Sequence, residues 1–366
     1  MKIALVLPGG VDRSGTHRVI PCLLWLIERL AAEHEVHVFA LHQEPRPGRW
    51  PLLGAQVVNI GARPRWPRAV AALMAEHRLG PFDVVHGFWA AGPGLAAAAF
   101  ARLAGVPNIL TLPGGDLAAL PDIGYGVRLS RRGRAMVRLA LAGADRITVP
   151  SRQLGREAVA LGIETIRIPL GVAIDRWPIR QPRRRRDATV RLVHVANLNP
   201  VKDQATLLAA LGRLAEDGVD YRLDVIGLDT LDGAVQERAA ELGLADRIRF
   251  RGFLPHAETR PWIEAADLLV MSSRHEAGPL VALEAALAGV PTIGTAVGHI
   301  ADWAPEAALA VPVGDAGALA AAVARLAADE AERLRIAHAA QALAIAEDAD
   351  FTATRMLALY RELAAR

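Results

Sequence analysis

The stretch LLVMSSRHEAGPLVALEAALAGVPTIGT, residues 268–295, decides the fold. LLVMSS reads as a short buried strand, because an apolar run of this length bounded by turn residues fits a strand covered on both faces. Pro279 suits the first turn of a helix, which runs through PLVALEAALAG to the glycine stop at Gly289. PTIGT then reads as a second strand. Strand, helix and strand in so short a span are the repeating unit of a parallel sheet, since parallel neighbours need a crossover and the crossover is usually a helix.

The same alternation extends in both directions. Towards the N-terminus of this half, VRLVHVANL, YRLDVIG and RIRFRG read as strands with helices between them, and LAVPV follows as another. In the first half KIALVLP, EVHVFAL, AQVVNI, DVVHGF, NILTL, RITVPS and TIRIPL do the same. The pattern breaks at RWPIRQPRRRRDA, residues 176–188, where prolines and a run of four arginines remove all periodicity. Arg183 to Arg186 read as a solvated linker or as a contact for an anionic partner. The expected fold is α/β, with two doubly wound Rossmann-like domains facing each other across a cleft. The expected domains are residues 1–178, a linker at 179–188, residues 189–345, and a terminal helix at 346–366. Helices are expected at about 315–326, 329–345 and 349–364. Open parallel sheets bind ligands at the carboxyl ends of their strands, so the candidate residues are sought there.

Composition narrows the function. The 366 residues carry a net charge of +3, which does not describe a nucleic-acid binder as a whole. One cysteine, Cys22, excludes an internal disulfide and a cysteine-based metal cluster, and points to a reducing cytoplasm. The opening MKIALVLPGG is too short an apolar run for a secretory signal, and no stretch reaches the length of a membrane span. GARPRWPRAVAALMAEHR and GVRLSRRGRAMVRLALAG set arginines beside apolar residues. They read either as solvated helices or as peripheral contacts with an anionic membrane.

Three places carry candidate chemistry. Gly9 and Gly10 follow the first strand, where a glycine pair serves a tight turn or lets backbone N–H groups face an anion. Of the 42 Lys and Arg residues only Lys2 and Lys202 are lysine. Lys202 lies after a strand and before a helix for which Asp203 is the expected N-cap. A cation is out of place at the positive end of a helix dipole unless an anion is there too, which suits a phosphate. A surface lysine on a turn is the alternative. In the opening stretch, Glu276 lies at the mouth of a helix and Glu284 lies inside it among apolar neighbours. A buried carboxylate requires a partner, and carboxylates accept hydrogen bonds from sugar and ribose hydroxyls. The backbone N–H groups of Leu280 and Val281 open the same helix. His86 and His299 end strand-and-turn segments, and each reads as a packed histidine or as a ligand contact.

With these motifs in place the chain resembles the retaining family 4 (group 1) glycosyltransferases, which have the GT-B fold. The Glu-x7-Glu element from Glu276 to Glu284 is that family's most specific motif. FRGFLPHAETRPWIEAADLLVMSSRHE and AGVPTIGTAVGHIADW resemble the family's sequence before and after it, and GADRITVPS and IRIPLGVAIDRW match in kind. The resemblance implies a nucleotide diphosphate sugar, UDP- or GDP-linked, as donor, a sugar or lipid-linked acceptor, and no metal. It assigns Lys202 to the diphosphate, Glu276 to the transferred sugar and Glu284 to the ribose. Leu280, Val281 and Gly278 belong to the sugar and phosphate loop, Phe253 and Leu254 to the base, and Gly10 to the diphosphate from the first domain. Lys202 and Glu276 are the expected catalytic pair. His86, Trp89 and Asp116 are expected on the acceptor side. Two strings depart from the family. Asn197 stands where an arginine is frequent, and Pro113 stands where the family has histidine in His-Gly-x-Asp. A non-catalytic nucleotide-sugar binder and a GT-B-fold epimerase are the competing functions.

Overall fold

The structure is a computed structural model that describes residues 1–366 except Ala62, Arg186 and Arg366. The chain divides into two units, Met1–Gly171 with Ala349–Arg366, and Val172–Asp348.

The first unit is built on an eight-stranded sheet in the order β3-β4-β2-β1-β5-β6-β7-β8. Its strands are β1 (Lys2–Leu7), β2 (Glu35–Ala40), β3 (Gly48–Leu52), β4 (Ala55–Asn59), β5 (Val84–Phe88), β6 (Asn108–Thr111), β7 (Arg146–Val149) and β8 (Ile166–Arg167). All pair in parallel except β3, which runs antiparallel on the edge. The sequence reading missed β3 because Pro51 interrupts GRWPL, and proline is tolerated only on such an edge. α1 (Pro21–Ala31) and the C-terminal α13 (Ala349–Ala364) cover one face, burying Leu23, Leu26, Ile27, Met356 and Tyr360 with Leu5 and Leu7. α2 (Arg65–Leu79) and α3 (Leu95–Ala104) cover the other with Leu73, Phe100 and Phe82 on Val6 and Phe39, and α4 (Arg131–Ala142) lies beside α3. α5 (Arg152–Val159) joins β7 to β8.

The second unit holds a six-stranded, wholly parallel sheet in the order β11-β10-β9-β12-β13-β14. Its strands are β9 (Val190–Val195), β10 (Tyr221–Ile226), β11 (Ile248–Gly252), β12 (Leu268–Met271), β13 (Thr292–Thr295) and β14 (Ala308–Val311). Its helices are α6 (Gln204–Glu216), α7 (Ala234–Glu241), α8 (His256–Ala265), α9 (Leu280–Leu287), α10 (Gly298–Trp303), α11 (Ala316–Ala328) and α12 (Glu330–Ala346).

The expected linker is not a free tether. Prolines keep it extended, and an extended backbone must find partners outside itself. The Arg180 amide donates to Leu287 O at 2.8 Å, and the Arg183 guanidinium donates to the carbonyls of Glu264 and Ala265 at 3.1 Å each. The buried Arg333 of α12 returns a bond to Arg183 O at 2.8 Å, and the Arg185 amide donates to Glu330 at 2.7 Å. The segment is therefore strapped onto α8, α9 and α12; Arg186 lies outside the described residues. Residues 172–178, expected in the first domain, belong to the second unit, where Trp177 is buried and bonds the carbonyl of Glu284 at 3.1 Å.

Candidate functional site

In the second unit the candidate residues gather at the carboxyl ends of β9 and β12. Beyond β9, Gly227 lies against the backbone: a Cβ there would stand 2.0 Å from Ala196 O, so only glycine fits. Asn197 Oδ1 accepts from the Leu228 amide at 3.0 Å and holds the two loops together. The exposed Asn197 thus braces the loop with a neutral group where an arginine would carry charge. The turn continues through Asn199, which accepts from the Lys202 amide through both its carbonyl (3.1 Å) and its side chain (3.2 Å). Asp203 caps α6 as expected, accepting from the Thr206 amide at 3.2 Å and its hydroxyl at 2.7 Å.

These constraints place the Lys202 ammonium 2.5 Å from Glu276 Oε1, which also accepts from Ser273 Oγ at 2.7 Å. Both partners are partly exposed, Lys202 more than Glu276. Lys202 O accepts from Ser272 Oγ at 2.8 Å, and the Arg274 amide bonds Val201 O at 2.8 Å, so the Lys202 turn and the Glu276 loop are stitched by backbone as well as charge. Below them, fully buried His194 donates through Nδ1 to Val270 O at 2.9 Å and receives Gln204 Nε2 at 3.2 Å. Burial, assisted by the Lys202 cation, pushes its pKa down to about 4, so it is a neutral strut.

α9 begins after Pro279, with the first-turn amides of Leu280 and Val281 at its open end. Gly278 is part-buried in the loop before it. Gly298, at φ +52°, packs against Glu276 and Pro279, and a Cβ would lie 2.8 Å from Pro279 Cδ. One turn further into α9, Glu284 is buried and its Oε1 receives His256 Nε2 at 2.6 Å. The His256 ring lies on Trp177 at 5.0 Å, and Trp177 bonds the Glu284 carbonyl, so Glu284, His256 and Trp177 form a closed set. Sequence reasoning singled out neither His256 nor Gly298. The signal for His256 was that Glu284, in apolar surroundings, needed a partner. Phe253 is largely exposed and Leu254 part-buried on the loop after β11. His299 is buried and stacks on Trp303 at 5.7 Å.

In the first unit three expectations change. Gly10, at φ +82°, donates its amide to Gln43 Oε1 at 2.7 Å, and Val11 donates to the same oxygen at 3.0 Å. The amide expected to face an anion is thus held by the Gln43 side chain. His86 is 0% exposed, between Tyr360 Oη at 2.6 Å and Thr111 Oγ1 at 2.6 Å. Burial pushes its pKa down to about 3. It ties α13 to the sheet and is not an acceptor contact. Asp116 is also 0% exposed, and its Oδ1 accepts the Ala90 amide at 2.7 Å. It pins the backbone next to Trp89, which sits at φ +66°. Of the three acceptor-side candidates only Trp89 keeps an accessible surface, with its indole over Gly114.

Two largely parallel sheets with helices on their faces, and polar side chains gathered at the carboxyl ends of the strands in the second, make a doubly wound α/β protein, a class that binds its ligands at those strand ends. Comparison with known proteins gives the class. The fold matches that of sucrose-phosphate synthase from Thermosynechococcus elongatus with TM-score 0.82 at 21% identity, over the whole of both chains. It also matches Anabaena HepE, solved in complex with UDP-glucose, with TM-score 0.75 at 19% identity over 99% of this chain and all of the other. The architecture is GT-B. The family model "Glycosyl transferases group 1" matches residues 175–343, and "Glycosyl transferase 4-like domain" matches residues 19–171. Among curated proteins, a Mycobacterium tuberculosis glycogen synthase is 29% identical over 343 residues, covering 91% of this chain and 79% of that protein. The chain belongs to the group 1 glycosyltransferases.

Proposed function

We propose that the chain is a retaining hexosyltransferase. It moves a sugar from a uridine or guanosine diphosphate sugar to an acceptor hydroxyl, in the synthesis of a glycan, polysaccharide or glycolipid, and needs no divalent metal. The observation that carries the reading is the Lys202–Glu276–Ser273 cluster at the open ends of α6 and α9. In the transfer, the bond from the anomeric carbon to the diphosphate breaks with its electron pair on the phosphate oxygen. The acceptor oxygen bonds that carbon, and its proton leaves to the departing phosphate. The difficulty is charge building on the diphosphate, and a preorganised cation with helix amides addresses it. An ammonium has three N–H donors, so Lys202 serves Glu276 with one and offers the others to phosphate oxygens. The free oxygen of Glu276 suits a sugar hydroxyl, and Glu284 suits the ribose. HepE is solved with UDP-glucose, which supports a nucleoside diphosphate hexose as donor. The acceptor is a sugar or a lipid-linked sugar, met on the cytoplasmic side of a membrane, with Trp89 as its platform.

The test is thermal unfolding with UDP, GDP and their sugars. A ligand at about 100 times its dissociation constant stabilises by about 2.7 kcal/mol, and Lys202→Ala is expected to remove most of that shift for diphosphates. If none of these ligands raises the midpoint of the wild-type protein, the donor assignment fails.

A further inference from the structure

The first unit carries a second feature, unrelated to the donor chemistry. The four most exposed large apolar side chains among the described residues are Leu79 (83%), Val159 (68%), Leu103 (67%) and Leu139 (60%). Single exposed leucines are ordinary; their placement here is not. Leu79, Leu103 and Leu139 lie at or near the C-terminal ends of α2, α3 and α4, and Val159 is the last residue of α5. Short connections lead from Leu79 to β5, Ala104 to β6 and Ala142 to β7. They bring these helix ends to the amino-terminal edge of the sheet, away from Gly10 and Trp89 at the carboxyl edge. Each of the three leucines follows an exposed arginine: Arg78, Arg102 and Arg138. An arginine in a last helical turn suits the helix dipole. A leucine exposed beside it gains nothing in water.

The surroundings add to this. Neither α3 nor α4 carries an acidic residue, and the exposed Arg131, Arg132 and Arg134 sit in the first turn of α4, outside the rim. Among the described residues, the rim arginines Arg78, Arg102 and Arg138 make no ion pair. Of the nearby acids, Glu362 binds Arg146 at 2.8 Å and Asp145 accepts the Asn108 amide at 2.8 Å, while Glu164 lines the larger groove beside α4. α4 is flanked by two grooves. One of about 740 Å³ runs against α3 and is lined by Leu95, Ala98, Ala99 and Leu139, with Arg102. The other, of about 910 Å³, sets Arg128, Arg134, Arg138 and Arg146 beside Val137 and Leu141. No described helix is long and apolar enough to cross a membrane.

We propose that this rim seats the first unit on an anionic lipid surface, with the leucines entering the interface and the arginines meeting lipid phosphates. A nucleic acid would use the arginines but not leucines exposed by 60% or more. Trp66, suggested by the sequence as part of such a contact, lies at the opposite end of α2, about 20 Å from Leu79 at 1.5 Å per residue. It does not share the rim.

The experiment is flotation of the full chain with vesicles of phosphatidylcholine containing about 30% phosphatidylglycerol, and with phosphatidylcholine alone, at about 0.05 M and about 0.5 M salt. Each cation near such a surface contributes about fivefold in partitioning. Binding to the anionic vesicles should therefore exceed binding to the neutral ones by at least about tenfold at low salt, and fall at high salt. The triple variant L79S/L103S/L139S and the triple variant R78Q/R102Q/R138Q should each lose about tenfold or more, while keeping the wild-type melting curve. The variant L343S/I345S, which removes exposed apolar groups from α12, should bind as wild type. Equal binding to both vesicle types, no binding at low salt, or undiminished binding by the leucine triple would overturn the proposal. So would vesicle-independent self-association that the leucine triple abolishes, which would assign the rim to a second copy of the chain.

Discussion

His256→Ala tests the internal logic of the donor unit. Glu284 is buried, and among the described residues its carboxylate takes one hydrogen bond, from His256 Nε2 at 2.6 Å. Removing that donor leaves a carboxylate oxygen unsatisfied, which costs about 1–3 kcal/mol and somewhat more for a charged group. It also removes the ring that packs, tilted, against Trp177 at 5.0 Å. A loss of about 2–4 kcal/mol is expected, part of it from the ring contact. For a unit of this size each kcal/mol moves the melting midpoint by about 2–4 °C, so the drop should be of order 10 °C. The diagnostic is what donor binding does to that loss. If ribose hydroxyls bond Glu284, they replace the missing His256 donor, and saturating nucleoside diphosphate should narrow the gap between variant and wild type. Glu284→Gln should narrow it too, because a neutral amide needs its partner less, so the double variant should be less than additive. Calorimetry of the four proteins with and without nucleotide measures all of this. A His256→Ala midpoint equal to wild type, or a gap unchanged by both nucleotide and Glu284→Gln, would refute the reasoning.

Three further outcomes follow from the same structure. Gly227→Ala should destabilise the second unit by more than about 3 kcal/mol in denaturant titration, because the new Cβ would meet Ala196 O at 2.0 Å and backbone cannot yield as a side chain does. His86 and His194 are held neutral by burial, with pKa values of about 3 and about 4 against an unfolded value near 6.5. Their folded pKa values are depressed, so stability is full above about pH 6.5 and declines as pH falls towards 4, by about 1.4 kcal/mol per pH unit for each histidine; His194→Gln should flatten that decline. Tyr360→Phe removes the hydroxyl facing His86 Nδ1 and should cost the first unit about 1–3 kcal/mol, read by urea unfolding.

The repeating strands and helices were legible in the sequence because a buried parallel strand is a continuous apolar run and its crossover helix is long enough to show a period. β3 was not, since an edge strand with Pro51 carries neither signal. The arginine-rich segment at 179–188 looked solvated because composition reports charge and not where backbone bonds go. Asp203, Glu276 and the α9 entrance were legible from local rules about helix ends, and Lys202 because it breaks one, a cation set at the positive end of a helix in a chain that otherwise uses arginine. His86 and Asp116 were misjudged for the opposite reason. The sequence shows a polar residue near a strand end. What settles its role is a partner far along the chain, Tyr360 for His86 and Ala90 for Asp116. His256 was missed for the same reason, with its carboxylate partner on the next helix.

The central claim is that Lys202 stabilises the leaving diphosphate. The most direct measurement is the rate of sugar transfer by Lys202→Ala beside wild type, with the same nucleotide sugar and acceptor, on protein shown to be folded by its melting curve. Loss of one strong electrostatic donor predicts turnover lower by about 100-fold or more. Turnover within a few-fold of wild type would contradict the account.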